Sequence, residues 1–527
     1  MKNLTTVPLR ATLLLLALFA AQTTMAYDVE IDGIFYNLKH ETATVTYDSK
    51  YHTSSCSGDV VIPSSIVYNG MQYTVTTIGK YAFYFSNITS VDIPNSVTKI
   101  EDYAFSYCSS LTSIQIPNSV RFIGSDAFFH SGLSRIDIPN SVTHINFGAF
   151  DETPWYDNLP DGVVYLGPYV YKYKGKETMP ENTSITIKSG TIGICEGSFS
   201  NCENLVSIDF PNTLKYVGME AFSRTPWHDN QPDGLIYAGQ VAIHYKGAVP
   251  SNTDLTIKDG TIAIGDGAFS MENYNYDCTY KPWYDGLVSV TLPNSVQYIG
   301  HLAFDGCDSL RKVIIGNSVE EIGEMAFPYN ENLTDVTISE GVKVIGEQMF
   351  AGCTSLRKII IPNSVEVIRY RAFGEFDENG YIDSEGCFSL TDVTIGSGVK
   401  SIESAAFSGC KALTKVTCLA TTPPLLEDVS CFDEENYTEA ILFVPKGSEL
   451  DYMMAYGWKK FIHIVGIDVH TDVCDVNGDG VVNISDLNNV VNDILSGKGD
   501  PSMDVNGDGS VNISDINIIV QSILTSN

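Results

Sequence analysis

Positive charge is scarce in this sequence. Lys and Arg total 31 against 64 Asp and Glu, a formal net charge of −33. Phosphate backbones and anionic bilayers reward Lys and Arg, so the balance argues against nucleic acid or an acidic membrane as partner. Familiar catalytic signatures are missing as well. There is no H-E-x-x-H, no G-x-x-x-x-G-K-[ST] and no G-x-S-x-G. The 9 His are scattered without ligand spacing. No run of about 20 apolar residues is present, so no bilayer-spanning helix and no membrane insertion is expected. The expectation is a non-enzyme. A carboxylate pair for glycoside hydrolysis carries no sequence signature and stays open as the weakest alternative.

What is present begins with an export signal. Lys2 and Arg10 precede the apolar run Ala11 to Ala21, and Thr24-Met25-Ala26 offers a small-residue cleavage site. The expectation is a secreted, extracellular or cell-surface protein cut near Ala26. The 12 Cys would then invite a disulfide framework. Their placement says otherwise. Cys108, Cys202, Cys307, Cys353 and Cys410 each follow a Phe by three residues in one recurring unit. A position fixed by a repeat is a packing position, and free Cys packs as a small hydrophobe. Cys418 and Cys431 lie outside the unit and are the pair expected to bridge.

The repeat dominates the chain. A Phe after a small residue recurs at Phe83, Phe105, Phe128, Phe150, Phe199 and Phe222, then at Phe269, Phe304, Phe327, Phe350, Phe373 and Phe407. The basic step is roughly 23 residues, and the longer gaps mark insertions. In one unit, Leu111, Ile114 and Ile116 alternate with polar residues, which predicts a short strand with one face inward. Pro117 and Asn118 end it with a turn, Val120 and Ile123 point back inward, and Ala127-Phe128 is expected to form a short helical return. No unit buries its apolar face alone, so the units must stack into a solenoid.

The words I-P-x-S-V-x-x-I-G-x-x-A-F-x-x-C-x-x-L resemble the BspA-like leucine-rich repeats over about Ile62 to Val416. The resemblance implies a bacterial surface or secreted protein, some relatives adhering to matrix proteins or cells. The expected architecture is an α/β leucine-rich-repeat solenoid, β-rich with short helical returns, and then a small α-helical calcium-binding module.

Two insertions are copies of each other. Thr153-Pro154-Trp155-Tyr156-Asp157-Asn158 returns as Thr225-Pro226-Trp227-His228-Asp229-Asn230, each followed by Pro-Asp-Gly and a strand-like run. Each is expected to contain a hairpin. Trp155, Trp227 and Trp283 either seal these insertions onto the solenoid or anchor a ligand. Insertions are placed near 151–190, 224–260, 271–286 and 374–386, the last one polar and acidic. Residues 27–70 read as an N-terminal cap, 71–416 as the solenoid and 417–467 as its C-terminal cap. A short helix is expected over Tyr452 to Trp458.

The tail, 468–527, holds two near-identical loops. One runs from Asp475 to Asp486 and the other from Asp504 to Asp515. Both fit the twelve-residue calcium loop, in which hard oxygens from alternate positions ring the ion. The expected ligands of the first are Asp475, Asn477, Asp479, the Val481 carbonyl, Asn483 and Asp486. Those of the second are Asp504, Asn506, Asp508, the Ser510 carbonyl, Asn512 and Asp515. Two Ca²⁺ ions are therefore expected. Each loop ends in Asp where a Glu is usual, and lacks a preceding helix. Each leads into one helix, Ser485 to Ser496 and Ser514 to Leu524. Those departures resemble the type I dockerin family over Val473 to Leu524. The resemblance implies a cohesin partner on a scaffold protein, contacted by Ile484-Ser485 or by Ile513-Ser514 in two alternative orientations. A calcium-stabilised cap without a cohesin partner is the alternative.

Together these readings predict a binding or adhesion protein. Its solenoid would take a host or cell-surface protein or a glycan, and its tail would dock to a scaffold. A non-catalytic accessory subunit of a polysaccharide-degrading assembly is the second reading.

Overall fold

The computed structural model describes residues 27–39, 42–48, 51–270, 284–374, 386–467, 474–477, 482–500, 503–505 and 510–525. The predicted leader, Trp283, and most of the acidic insertion 374–386 lie outside the described residues. The chain divides into two compact units, residues 1–175 and 176–527. Among the described residues no helix is long and apolar enough to cross a membrane.

The first unit opens with an antiparallel arrangement. Val29–Ile31 pairs with Ile34–Lys39, which pairs with Thr42–Thr46. Direction then changes. Thr42–Thr46 lies parallel to Met71–Ile78, and the ladder continues in parallel through Lys99–Ile100, Phe122–Ile123 and His144–Ile145. In the second unit the register follows the repeat. Lys312 faces Asp335, and Ile315 faces Ile338. Lys358–Ile361, Asp392–Ile395, Lys415–Cys418, Ile441–Pro445 and His463–Ile467 form a second such ladder.

The marker phenylalanines form the core. In the first unit Phe83, Phe105, Phe128 and Phe150 stack with successive centroids 5.1 Å apart. In the second unit Phe269, Phe304, Phe327, Phe350, Phe373 and Phe407 stack at 4.8–5.7 Å. The spacing is close to that of neighbouring strands, about 4.8 Å, because each ring rides on one coil. Phe432 extends the stack at 5.0 Å, and Trp458, Tyr437 and Phe461 close around it. Phe432 follows Cys431, not the Ala, Ser or Met that precedes the other markers, so it escapes the repeat pattern.

Two details of the coil differ from expectation. Leu111 and Ile116 are buried as the alternation requires, yet residues 111–116 are not a strand. The backbone is tied to the next coil by Ser134 N–H donating to the Thr112 carbonyl at 3.2 Å, not by a full ladder. The return is not helical either. Two residues per coil, two before and two after the marker Phe, are left-handed; in the first coils they are Tyr81 and Phe85, then Tyr103 and Tyr107. Such residues break a helix and cost roughly 1–3 kcal/mol each when they are not glycine. Between them the marker N–H bonds to the next coil, while its neighbours close turns within their own coil, Ala82 N–H donating to the Gly79 carbonyl at 3.0 Å and Tyr84 N–H to that of Tyr81 at 3.1 Å. Phe83 N–H donates to the Ala104 carbonyl at 2.8 Å, and Phe105 N–H to that of Ala127 at 2.7 Å.

The same logic settles the cysteines. The described ones are all free and buried. At the repeat position the thiol donates to the Phe carbonyl of the preceding coil, as Cys108 does to Phe83 at 3.0 Å, Cys353 to Phe327 at 3.3 Å and Cys410 to Phe373 at 3.6 Å. Where the chain replaces Cys, another donor stands in, as Asn330 Nδ2 does to the Phe304 carbonyl at 2.9 Å. Cys387, across the acidic insertion from Phe373, holds the same place and donates to Phe350 at 3.2 Å. The expected Cys418–Cys431 bridge is not formed. Cys418 accepts from the Tyr452 hydroxyl at 3.1 Å, whereas Cys431 points to the carbonyls of Ile402 and Glu403. Burial pushes the Cys108 and Cys418 thiols up to about 11 and Cys353 well above its ordinary value. Thiolate, the reactive form, is therefore suppressed. Reducing agent should leave the melting curve unchanged, and iodoacetamide should label these thiols only after denaturation, as read by mass spectrometry.

The duplicated insertions contain the expected hairpins, Gly162–Leu166 with Tyr169–Lys174 and Gly234–Ala238 with Val241–Lys246. Ahead of each hairpin is a one-turn helix, Pro154–Asp157 or Pro226–Asp229. Thr153 and Thr225 cap these helices, each accepting a backbone N–H at 3.2 Å. Thr-Pro is a readable start signal, a capping hydroxyl followed by a residue with no N–H to lose. Lys174 Nζ closes the other end by donating to the carbonyls of Tyr156, Asp157 and Leu159 at 2.7–2.8 Å. Trp227 is buried against Phe222, 4.7 Å between centroids, and Trp155 sits edge-on to Phe150 at 6.2 Å. In the C-terminal cap the helix is Glu449–Met454, earlier than expected. Ala455 is extended and Gly457 has φ 74°, so the chain must turn before Trp458, which begins a separate short turn.

Candidate metal and docking site

The tail carries two helices of 13 residues, Ile484–Ser496 and Ile513–Thr525. Each starts one residue before the expected Ser. Asn483 is the reason: its side-chain oxygen accepts the Ser485 N–H at 2.8 Å, making it the N-cap. Asn512 repeats this with the Ser514 N–H at 2.9 Å. Between the helices Cys474, Val490, Val505 and Ile519 form a small buried core, with Val476, Val482, Leu487, Val511 and Ile516 packed against it. The core is pseudo-symmetric, since Val476 answers Val505, Val482 answers Val511, and Val490 answers Ile519.

The loop-ending carboxylates are fully buried. Asp486 accepts the Asn477 N–H at 3.1 Å and the Asn483 N–H at 2.8 Å. Asp515 accepts the Asn512 N–H at 2.8 Å. Each aspartate thus draws its loop inward, which offsets its short reach compared with glutamate. Asp475 is also buried, two residues before Asn477, while Asp504 and Ser510 belong to the second loop. Asp479, Val481, Asn506 and Asp508 lie outside the described residues. Buried carboxylates need compensating charge or hydrogen bonds, and a hard divalent cation fits this all-oxygen set. Ile484 and Ile513, in contrast, stand 62% and 70% exposed, one at the start of each helix. Ser485 beside Ile484 is half-buried, and Ser514 beside Ile513 is exposed. Two apolar side chains thus stand in water at corresponding places in the two helices.

Sequence reading missed one support of this module. Asp493 is buried and accepts the Asp500 N–H with both oxygens at 3.2 Å, pinning the chain as it leaves the first helix. Gly497, left-handed at φ 65°, ends that helix, and the Ser-Gly pair there was the available signal.

Residues 76–175, 177–272, 283–379 and 384–443 match the family described as BspA type leucine rich repeat region. The chain belongs to the BspA-type leucine-rich-repeat family. Residues 473–524 of this BspA-type chain match the dockerin type I domain. Among solved structures it is similar to a leucine-rich repeat protein from Bacteroides ovatus, 25% identical, covering 80% of this chain and 100% of that one, with TM-score 0.30. It is also similar to a leucine rich cell surface protein from Faecalibacterium prausnitzii, 27% identical, covering 75% and 94%, with TM-score 0.26. Comparison with curated proteins returns no match. The repeats and the dockerin support protein–protein interaction, and a type I dockerin implies calcium and a cohesin partner.

Proposed function

We propose that this BspA-type chain is a secreted or cell-surface binding protein. Its solenoid recognises a protein or glycan, and its dockerin, ordered by two calcium ions, docks it to a cohesin-bearing scaffold. The two ions would be held by the loop oxygens from Asp475 to Asp486 and from Asp504 to Asp515. Calcium supplies the charge that lets both loops close, and Ile484-Ser485 or Ile513-Ser514 then meets the cohesin. One observation carries this reading: two buried loop carboxylates, Asp486 and Asp515, each lie at the start of a helix whose first residue is an exposed Ile.

Deletion of 468–527 separates the two halves. The shortened chain is expected to keep its ligands in a screen of matrix proteins and plant or host glycans while losing all cohesin binding. Ligand binding lost together with the tail would overturn the division of labour.

A further inference from the structure

The two copied insertions are closed by different chemistry. In the first, Lys172 pairs with Asp151, and Tyr156 lies edge-on to Tyr171 at 5.9 Å. At the matching places the second copy has His244, Ser223 and His228. The first copy has no histidine between Asp151 and Gly175.

His228 lies on the helix Pro226–Asp229 and His244 on the strand Val241–Lys246. Both are buried, and their ring centroids are 5.3 Å apart at 44°. The pair joins the helix to the hairpin. Beside it Trp227 is seated on the coil, 4.7 Å from Phe222 and 5.5 Å from Phe210. Two charges act on the rings. His228 Nδ1 is 3.2 Å from the exposed carboxylate of Asp229. Lys246 adds positive charge, its Nζ donating to the carbonyls of Asp229 and Gln231. The strands packed against the helix and the hairpin add Asp209, which is exposed, and the half-buried Tyr216 and Tyr237. One exposed carboxylate cannot offset two imidazolium rings and an ammonium in a buried seam, so the closed insertion holds both rings neutral.

We propose that His228 and His244 form an acid-sensitive latch: the second insertion stays closed on its coil while both rings are neutral and opens when they take up protons. The latch goes beyond the binding role given to the solenoid above and needs no particular ligand. Burial, then His228 and Lys246, pushes His244 down to about 3 from its ordinary 6.5. Burial also lowers His228, against the pull of Asp229. In an opened insertion both rings would take protons near the ordinary value. The closed form therefore keeps its full advantage above that value and loses it as the pH falls, for His244 down to about 3. Acid thus changes the surface that the second insertion presents.

The test is amide hydrogen exchange of the full chain at pH 7 and pH 5, read by mass spectrometry as protection factors, which removes the pH dependence of the exchange chemistry itself. The reporters are residues 226–246, among them the Asp229 and Asn230 N–H groups that bond the carbonyls of Thr225 and Pro226 at 2.9 and 3.0 Å. Protection there is expected to fall at least about twentyfold between pH 7 and pH 5, the shift that one buried ring alone imposes on opening. Residues 154–174 of the first copy are expected to change far less. A variant with His228→Tyr and His244→Gln cannot take up these protons, and once folded it should lose the difference between the two pH values. If that variant does not fold, the two copies within the natural chain still decide. Equal change in both copies, no fall over 226–246, or a fall that survives in the folded variant would overturn the latch.

Discussion

Adding a calcium chelator to the full chain is expected to melt the tail and leave the solenoid folded. The reason is size. Two helices of 13 residues are marginal alone in water, and among the described residues only Cys474, Val490, Val505 and Ile519 lie fully inside the core between them. A domain this small rarely holds more than about 3–5 kcal/mol of its own. Each ion present at about 100 times its Kd adds roughly 2.7 kcal/mol, so two ions supply as much as the protein core does. Without them Asp486 and Asp515 would be buried carboxylates with backbone N–H groups as their remaining support. Circular dichroism should show the helical signal falling, and a heating scan should lose its tail transition while the solenoid transition stays. Asp486→Ala alone should remove about half the calcium and leave a second, weaker step on titration. A tail that keeps its helices in chelator would contradict this account.

The second large effect lies in the solenoid. Phe350→Ala is expected to destabilise the stack by about 3–5 kcal/mol, the usual range for emptying a buried aromatic site. Phe350 has rings on both sides, Phe327 at 5.7 Å and Phe373 at 5.5 Å. Each coil is stabilised through its two neighbours, so the vacancy weakens two interfaces together. Denaturant unfolding of the variant should become broader or split, the coils on either side letting go separately. Phe388→Ala is the control. That ring is exposed, and its loss should cost well under 1 kcal/mol.

Much of this was legible in the residues. Phe recurs because each coil must place one ring in a shared stack, and a spacing imposed by stacking is visible without any structure. The calcium loops were legible for a similar reason, since a metal fixes oxygen donors at fixed offsets. What could not be read depended on neighbours. Leu111 to Ile116 has strand-like alternation, but a strand also needs a bonded partner along its length, and alternation does not report one. The return around Ala127-Phe128 reads as helical by composition, yet the Phe128 N–H bonds to the next coil and the left-handed Asp126 and His130 on either side leave room only for a turn. Cys418 and Cys431 were paired on the ground that both stand outside the repeat. Cys431 in fact sits one residue before Phe432, the ring that extends the stack, and its thiol bonds within the core. Thr153-Pro154 and Thr225-Pro226 could have been read as helix starts, since the capping hydroxyl and the proline were both in view.

The central claim is that calcium turns the tail into a docking device carried by an aromatic-cored solenoid. Isothermal titration of type I cohesins into the full chain, with excess calcium and then with chelator, tests it most directly. The account predicts tight binding in calcium and none in chelator. It also predicts a far larger loss when Ile484 and Ile513 are both changed to Asp than when either is changed alone. Binding that ignores the chelator, or no binding to any cohesin in saturating calcium, would contradict it.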